Sequence, residues 1–458
     1  MQKNLTEGNI FKNLLIFSIP YLISCFLQTF YGMADLYITG QYNGAASISG
    51  VSIGSQVTHL LTVVIIGLAM GTTVSIGSAL GQNASSGSKQ EKEIKRAKEQ
   101  LGEIVAGSVI LFSIVSIVGV ILLFLSLGGI IRILDTPAEA VLETTNYLKV
   151  CFLGFPFIVM VNVISSVYRG MGDSKSPMIF VAISGVINII LDYVLIGYFG
   201  MGALGAAIAT VVSQIISVII ALFHMLRSDL VILKRSFFKP NSVIMNRMLK
   251  TGLPIAVQEG VIQISFLVIT AIANGRGVTV SASVGIVEKI ISFLFLVPSA
   301  MLSTVSAIAA QCRGAKLHDR SRKTLFYAVI TCVLFGLIAT IVCETNTAFI
   351  VGLFAKGEPD IVVLGAQYLR AYVFDCIIAG IHFCFCGFFS AYEKSYISSI
   401  HNILSVCLIR IPGAYFATKL FPDDLFPMGL AAPAGSLLSA LICIGAYLIL
   451  KSKGKLFN

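Results

Sequence analysis

The chain has 458 residues, of which 56% are hydrophobic and only 12% charged, about half the charged fraction of a soluble domain. Its mean hydropathy of +0.91 excludes disordered, fibrous and nucleic-acid-binding classes. The formal net charge of +10 then reads as basic cytoplasmic loops of a membrane protein.

Runs of about 20 apolar residues, enough to cross a bilayer, recur along the chain. They predict twelve spans near 14–38, 48–78, 104–128, 144–168, 176–197, 203–226, 252–274, 281–309, 325–344, 362–389, 397–418 and 428–450. An unpaired backbone is too costly in lipid, so every span is expected to be a helix and the fold an all-α integral membrane protein. Met1 to Lys12 is short and polar and leads directly into the first span, so no cleavable signal is expected.

Lys and Arg gather after even-numbered spans. Lys89, Lys92, Lys95, Arg96 and Lys98 follow the second, Arg227, Lys234, Arg235, Lys239, Arg247 and Lys250 the sixth, and Arg313, Lys316, Arg320, Arg322 and Lys323 the eighth. The odd-numbered loops run acidic, with Asp135, Glu139 and Glu143, then Glu344, Glu358 and Asp360, then Asp423 and Asp424. The positive-inside rule places both termini in the cytoplasm of a cell (inner) membrane protein.

A weak internal repeat organises the spans. Pro20 matches Pro254, Ala69-Met70 with Thr73-Val74-Ser75 matches Ala300-Met301 with Thr304-Val305-Ser306, and Tyr147-Leu148 matches Tyr368-Leu369. Six spans per half is even, so the halves enter the bilayer from the same side, as parallel repeats about the membrane normal. The expected organisation is an N-terminal six-helix lobe (1–226), a basic cytoplasmic linker (227–250) and a C-terminal six-helix lobe (251–458), related by a pseudo-twofold axis around a central cleft. Such a plan suits alternating access better than a pore.

Five acids stand in apolar runs: Asp35, Asp192, Glu259, Glu288 and Asp375. Each costs about 2.5–3.5 kcal/mol at mid-bilayer, so each needs a partner, a wet cavity or an ion. Lys289 and Arg410 are the cations at hand for buried ion pairs. Asn188 lies four residues before Asp192, on the same helix face. A carboxylate beside an amide oxygen forms a hard-oxygen site for a small cation such as Na⁺. Asp35 could add a second carboxylate, and two carboxylates together in low dielectric share a proton. Either ion is admissible. The ten Cys fall almost wholly in apolar runs and read as small hydrophobes. The five His form no sequence cluster, so no metal site beyond Na⁺ and no cofactor are expected. Enzyme signatures such as His-Glu-x-x-His and Gly-x-Ser-x-Gly are absent, so no catalytic residues are expected.

Over nearly its whole length the sequence resembles the multidrug and toxic compound extrusion (MATE) transporters of bacterial type. The resemblance rests on Ala34-Asp35-Leu36-Tyr37-Ile38-Thr39-Gly40 with Gln41, on Arg169-Gly170-Met171-Gly172-Asp173-Ser174-Lys175, and on Asn188-Ile189-Ile190-Leu191-Asp192. It extends to Gly202-Ala203-Leu204-Gly205-Ala206-Ala207-Ile208-Ala209-Thr210 and to Arg410-Ile411-Pro412. It implies a cation site of Asp35, Asn188, Asp192 and Thr210 in the N-terminal lobe. It implies Glu259 and Asp375 as substrate or proton contacts, a role also open to Glu288. Arg169, Asp173 and Arg410 are expected to act in gating or structure, Arg410 in a salt bridge and Arg169 with Asp173 at a cytoplasmic loop as a closing or solvated pair. The implied activity is antiport of amphipathic, cationic organic compounds against Na⁺ or H⁺ by a monomer in the lipid bilayer, with no nucleic-acid partner. The alternative is a flippase for a lipid-linked sugar or peptidoglycan precursor.

Overall fold

A computed structural model describes residues 4–85, 91–228, 231–355 and 357–457; Lys89 of the first basic loop lies outside the described residues. The helices are α1 Ile10–Tyr42, α2 Ala45–Ser85, α3 Glu91–Ile133, α4 Val141–Gly170, α5 Lys175–Asp192, α6 Gly202–Arg227, α7 Ser242–Asn274 and α8 Val278–Leu294. They continue as α9 Leu296–Gly314, α10 His318–Gly352, α11 Pro359–Tyr372, α12 Asp375–Ala391, α13 Tyr396–Ser405, α14 Ile411–Leu420, α15 Phe426–Gly429 and α16 Ala431–Ser452. Among the described residues the regular structure is helical throughout, as a lipid-exposed backbone requires. Eleven stretches are long and apolar enough to cross a membrane. The α11–α12 pair, bent by 42° at its break, makes the twelfth.

The chain folds as two compact units, Ile19–Leu249 and Leu5–Ser18 with Lys250–Asn458. These limits depart from the expected lobes at both seams. Residues 5–18 join the second unit because polar contacts fix them there. The Leu5 amide donates to Gln311 Oε1 at 3.1 Å, and Arg320 donates to the carbonyls of Leu5, Glu7 and Gly8. The stretch expected to be a linker packs on the first unit instead. Lys234 pairs with Glu99 at 2.8 Å, and a Cβ on Gly71 would run into the Met248 carbonyl.

Each unit is built around one buried helix. In the first, α4 packs on α2, α3 and α6; in the second, α12 packs on α9, α10 and α16. The residues that repeat in sequence are the ones buried in each unit. Tyr147 and Leu148 sit in the core with Ile38, Val51 and Ala206, while Tyr368 and Leu369 sit in theirs with Val284, Val287 and Ile291. Small residues permit the close approaches, since a Cβ on Gly387 of α12 would meet the Leu302 carbonyl of α9. The fifth span of each unit also changes winding, to π-helical turns at Tyr193–Tyr198 and Val406–Arg410. Such turns interrupt a helix where a side chain must be presented in a particular direction.

Candidate functional site

The first unit brings Asp35, Asn188, Asp192 and Thr210 together. Asp35 comes from α1, Asn188 and Asp192 from one face of α5, and Thr210 from α6. All four are buried, Asp192 completely. The Thr210 hydroxyl donates to Asp35 Oδ2 at 3.4 Å, and the Asp35 carboxyl also faces Asn188 and Asp192. Yet Asp35 Oδ1, both Asp192 oxygens and both polar atoms of the Asn188 amide lie buried without a hydrogen bond of good geometry.

Buried polar atoms are normally partnered, and unpaired buried charges are costlier still. Two carboxylates, an amide oxygen and a hydroxyl converging here form an acceptor-rich pocket of hard oxygens. The arrangement can hold a small cation or a proton. The sequence reading missed the aromatic surround: Tyr31 neighbours both Asp35 and Gln214, and Tyr147 neighbours Thr210, Cys151 and Asp35. The readable signal was spacing, since Tyr31 precedes Asp35, and Gln214 follows Thr210, by one helical turn.

Arg169 and Asp173, expected as a closing or solvated pair, are buried with separate partners. Arg169 donates to Ser166 Oγ at 2.6 Å and lies 5.1 Å from the Tyr21 ring centroid. Asp173 Oδ1 accepts the Lys175 and Ser176 amides at 2.9 and 3.1 Å, and Oδ2 accepts the Ser176 hydroxyl. Those contacts cap the start of α5, the helix that carries Asn188 and Asp192. Arg169 also lines a small cavity of mixed character with Tyr21, Gln28, Asn162 and Val181.

In the second unit Glu288, Asp375 and Arg410 form one electrostatic cluster. Arg410 is buried, donates to the Tyr372 hydroxyl and stacks 4.6 Å from the Phe266 ring centroid. Glu288 accepts the Thr270 hydroxyl at 3.0 Å. Asp375, fully buried, has Ser436 and His382 beside it. Arg410 therefore sits among aromatic rings with two acids near it, so its charge serves both rather than one pair. Glu259 stands apart from this cluster; its electrostatic neighbour is Cys386.

His382, Cys386 and His401, separated in sequence, are all buried with their ligating atoms within 4.8 Å of one another. The four-residue step from His382 to Cys386 puts both on one face of α12. The third member lies fifteen residues further on, in α13, a spacing that only the fold interprets.

Twelve helical spans in two similarly built units, each burying ionisable groups among apolar helices, define a polytopic membrane transporter. The MatE family model matches residues 20–194 and 254–416, and the chain belongs to that family of multidrug efflux transporters. It is 28% identical over 433 residues to a probable multidrug resistance protein, YpnP, of Bacillus subtilis (strain 168), covering 94% of this chain and 92% of that protein. It is 25% identical to the multidrug export protein MepA of Staphylococcus saprophyticus, over 91% and 89% of the two chains. An outward-facing MATE family transporter of the MOP superfamily shares the fold with a TM-score of 0.87 at 20% identity, over 98% of both chains.

Proposed function

We propose that the chain exports amphipathic, cationic organic compounds in exchange for Na⁺ or H⁺, which binds at Asp35, Asn188, Asp192 and Thr210. One observation carries this reading: two buried carboxylates of the first unit face each other, and three of their four oxygens lack a hydrogen bond of good geometry. A cation or proton arriving there neutralises one charge, and its departure restores the repulsion. An alternating-access cycle would take up the ion from outside, release it inside and then accept drug. One positive charge moving inward across 100 mV releases about 2.3 kcal/mol. At about 1.4 kcal/mol per tenfold, that sustains roughly a fortyfold drug gradient. Basic loops in the cytoplasm put both termini inside, in the cell membrane, with the monomer as the working unit.

The flippase alternative has less support. The relatives are named for multidrug resistance and export, and the first unit's cluster offers acids where a pyrophosphate would need cations. The test is dye efflux from proteoliposomes under a Na⁺ gradient or a pH gradient imposed separately, with Asp192→Asn beside wild type. One gradient should drive wild-type efflux and leave the variant inactive. Normal coupling in the variant would place the ion elsewhere, and efflux under neither gradient would remove the antiport reading.

A further inference from the structure

The His382, Cys386 and His401 cluster belongs to the second unit and has no part in the cation site described above. Cys386 Sγ lies 3.1 Å from His401 Nε2, and the two imidazole rings stand 5.5 Å apart between centroids. Cys443, projecting from α16, lies against Cys386 and is fully buried. Two helices thus bring two imidazoles and one thiol within 4.8 Å of one another, and α16 sets a second thiol beside Cys386. The Nδ1 atoms of both His382 and His401 are buried without a hydrogen-bond partner. Imidazole nitrogens left unsatisfied in an apolar interior are uncommon, and here the rings that carry them surround a thiol.

Packing alone explains this arrangement poorly. Cys384, two residues before Cys386, shows what a packing cysteine of the same helix looks like: its Sγ meets Cys332 at 3.7 Å, with no imidazole in attendance. A tetrahedral ion with sulfur ligands at about 2.3 Å and imidazole ligands at about 2.0–2.1 Å needs ligand atoms roughly 3.3–3.8 Å apart. Cys386 Sγ and His401 Nε2 stand 3.1 Å apart, and all three ligating atoms lie within 4.8 Å of one another, so they would draw together around an ion. Two His and two Cys are the donor set of a closed tetrahedral zinc site, and the thiolates disfavour Na⁺, Mg²⁺ and Ca²⁺.

We propose that His382, Cys386 and His401, with Cys443 as the fourth ligand, bind a Zn²⁺ ion within the second unit. Binding replaces the Cys386 and Cys443 S–H bonds by Zn–S bonds and releases the two thiol protons to solvent; no redox change is involved. Glu259, the electrostatic neighbour of Cys386, stands in the surrounding shell. The ion ties α12, α13 and α16 together, with the central helix of the unit among them.

The experiment uses full-length protein in detergent, stripped with a chelator and titrated with Co²⁺ as a coloured stand-in for Zn²⁺. Wild type should take up one Co²⁺ per chain with a thiolate-to-metal charge-transfer band that Zn²⁺ abolishes. Cys386→Ser should weaken the band, and Cys386→Ser with Cys443→Ser should abolish it. His401→Gln should weaken binding by at least about tenfold, the loss already seen when a group merely supporting a ligand is removed. Cys384→Ser should behave as wild type. A band absent from wild type, one unchanged in Cys386→Ser, or one that persists when both cysteines are replaced, overturns the proposal. X-ray absorption at the zinc edge of the wild-type protein needs no variant. Sulfur near 2.3 Å with imidazole nitrogen near 2.0 Å supports the site, and a shell of oxygen and nitrogen alone refutes it.

Discussion

Replacing Asp192 by Asn removes one charge and keeps the shape of the side chain. Both Asp192 oxygens are buried and lack a hydrogen bond of good geometry, so little hydrogen bonding is lost with the charge. A carboxylate at mid-bilayer costs about 2.5–3.5 kcal/mol; without ions, the variant should therefore be as stable as wild type or more stable. With ions the order should change. A ligand at about a hundred times its Kd stabilises the chain that binds it by about 2.7 kcal/mol. Unfolding entropy near 2.1 cal/mol/K per residue, taken over 458 residues, makes each kcal/mol worth about 1 °C. The coupling ion should thus raise the wild-type Tm by about 3 °C and leave Asp192→Asn where it was.

The chain has no Trp, so intrinsic tryptophan fluorescence cannot follow the melt. Eight of its ten cysteines are buried, and a dye that fluoresces on reacting with thiols reports their exposure instead. Melts would be run against NaCl at constant ionic strength and, separately, against pH. An ion-dependent shift in Asp192→Asn equal to that of wild type would refute the site. A variant melting several degrees below wild type without ions would also refute it, because Asp192 would then be serving as a structural hydrogen-bonding group.

Three further outcomes follow from the same packing. Arg410→Met leaves Asp375 and Glu288 buried without their nearby cation and should cost about 3–5 kcal/mol, partly restored by adding Asp375→Asn; a melt unchanged from wild type would count against the cluster. Gly387→Ala drives a Cβ into the Leu302 carbonyl and should cost about 1–3 kcal/mol, whereas Gly285→Ala, with open space around it, should be close to neutral in the same melt. Asp173→Ala removes the acceptor of two amides at the start of α5 and should cost about 0.5–2 kcal/mol, with Asn in its place costing little; equal losses for Ala and Asn would show that the charge, and not the cap, is what matters.

The spans and the acids inside them were legible because lipid makes both conspicuous: an apolar run must be helical, and a charge in such a run stands out. Asn188 and Asp192 could be paired from spacing alone, since one helical turn aligns them. What the sequence concealed depends on contacts between distant segments. Residues 5–18 join the second unit through Gln311 and Arg320 acting on backbone carbonyls and an amide, and backbone groups leave no trace in residue identity. The bend between α11 and α12 falls at Val373 and Phe374, with neither Pro nor Gly to announce it. His401 reaches Cys386 only because α13 folds back beside α12.

The two units share a plan but differ in how they balance buried charge. In the first, Asp35 and Asp192 lie together, and the basic residue buried in that unit, Arg169, is engaged with Ser166 and the Tyr21 ring. In the second, Asp375 and Glu288 have Arg410 near them. A site that already holds a fixed cation gains little from a mobile one, while a site of two acids gains much. The fifth spans show the contrast most directly, because each turns into a π-helical segment at its polar residue: Asp192 immediately before the turn, Arg410 at its end. The repeat therefore keeps the backbone device, while the charge beside it differs in both sign and place, Ser405 standing where the first unit has Asp192. That contrast is why the proposed coupling ion is assigned to the first unit, and why, on the same proposal, the second unit's acids are left to substrate or to holding their own helices in place.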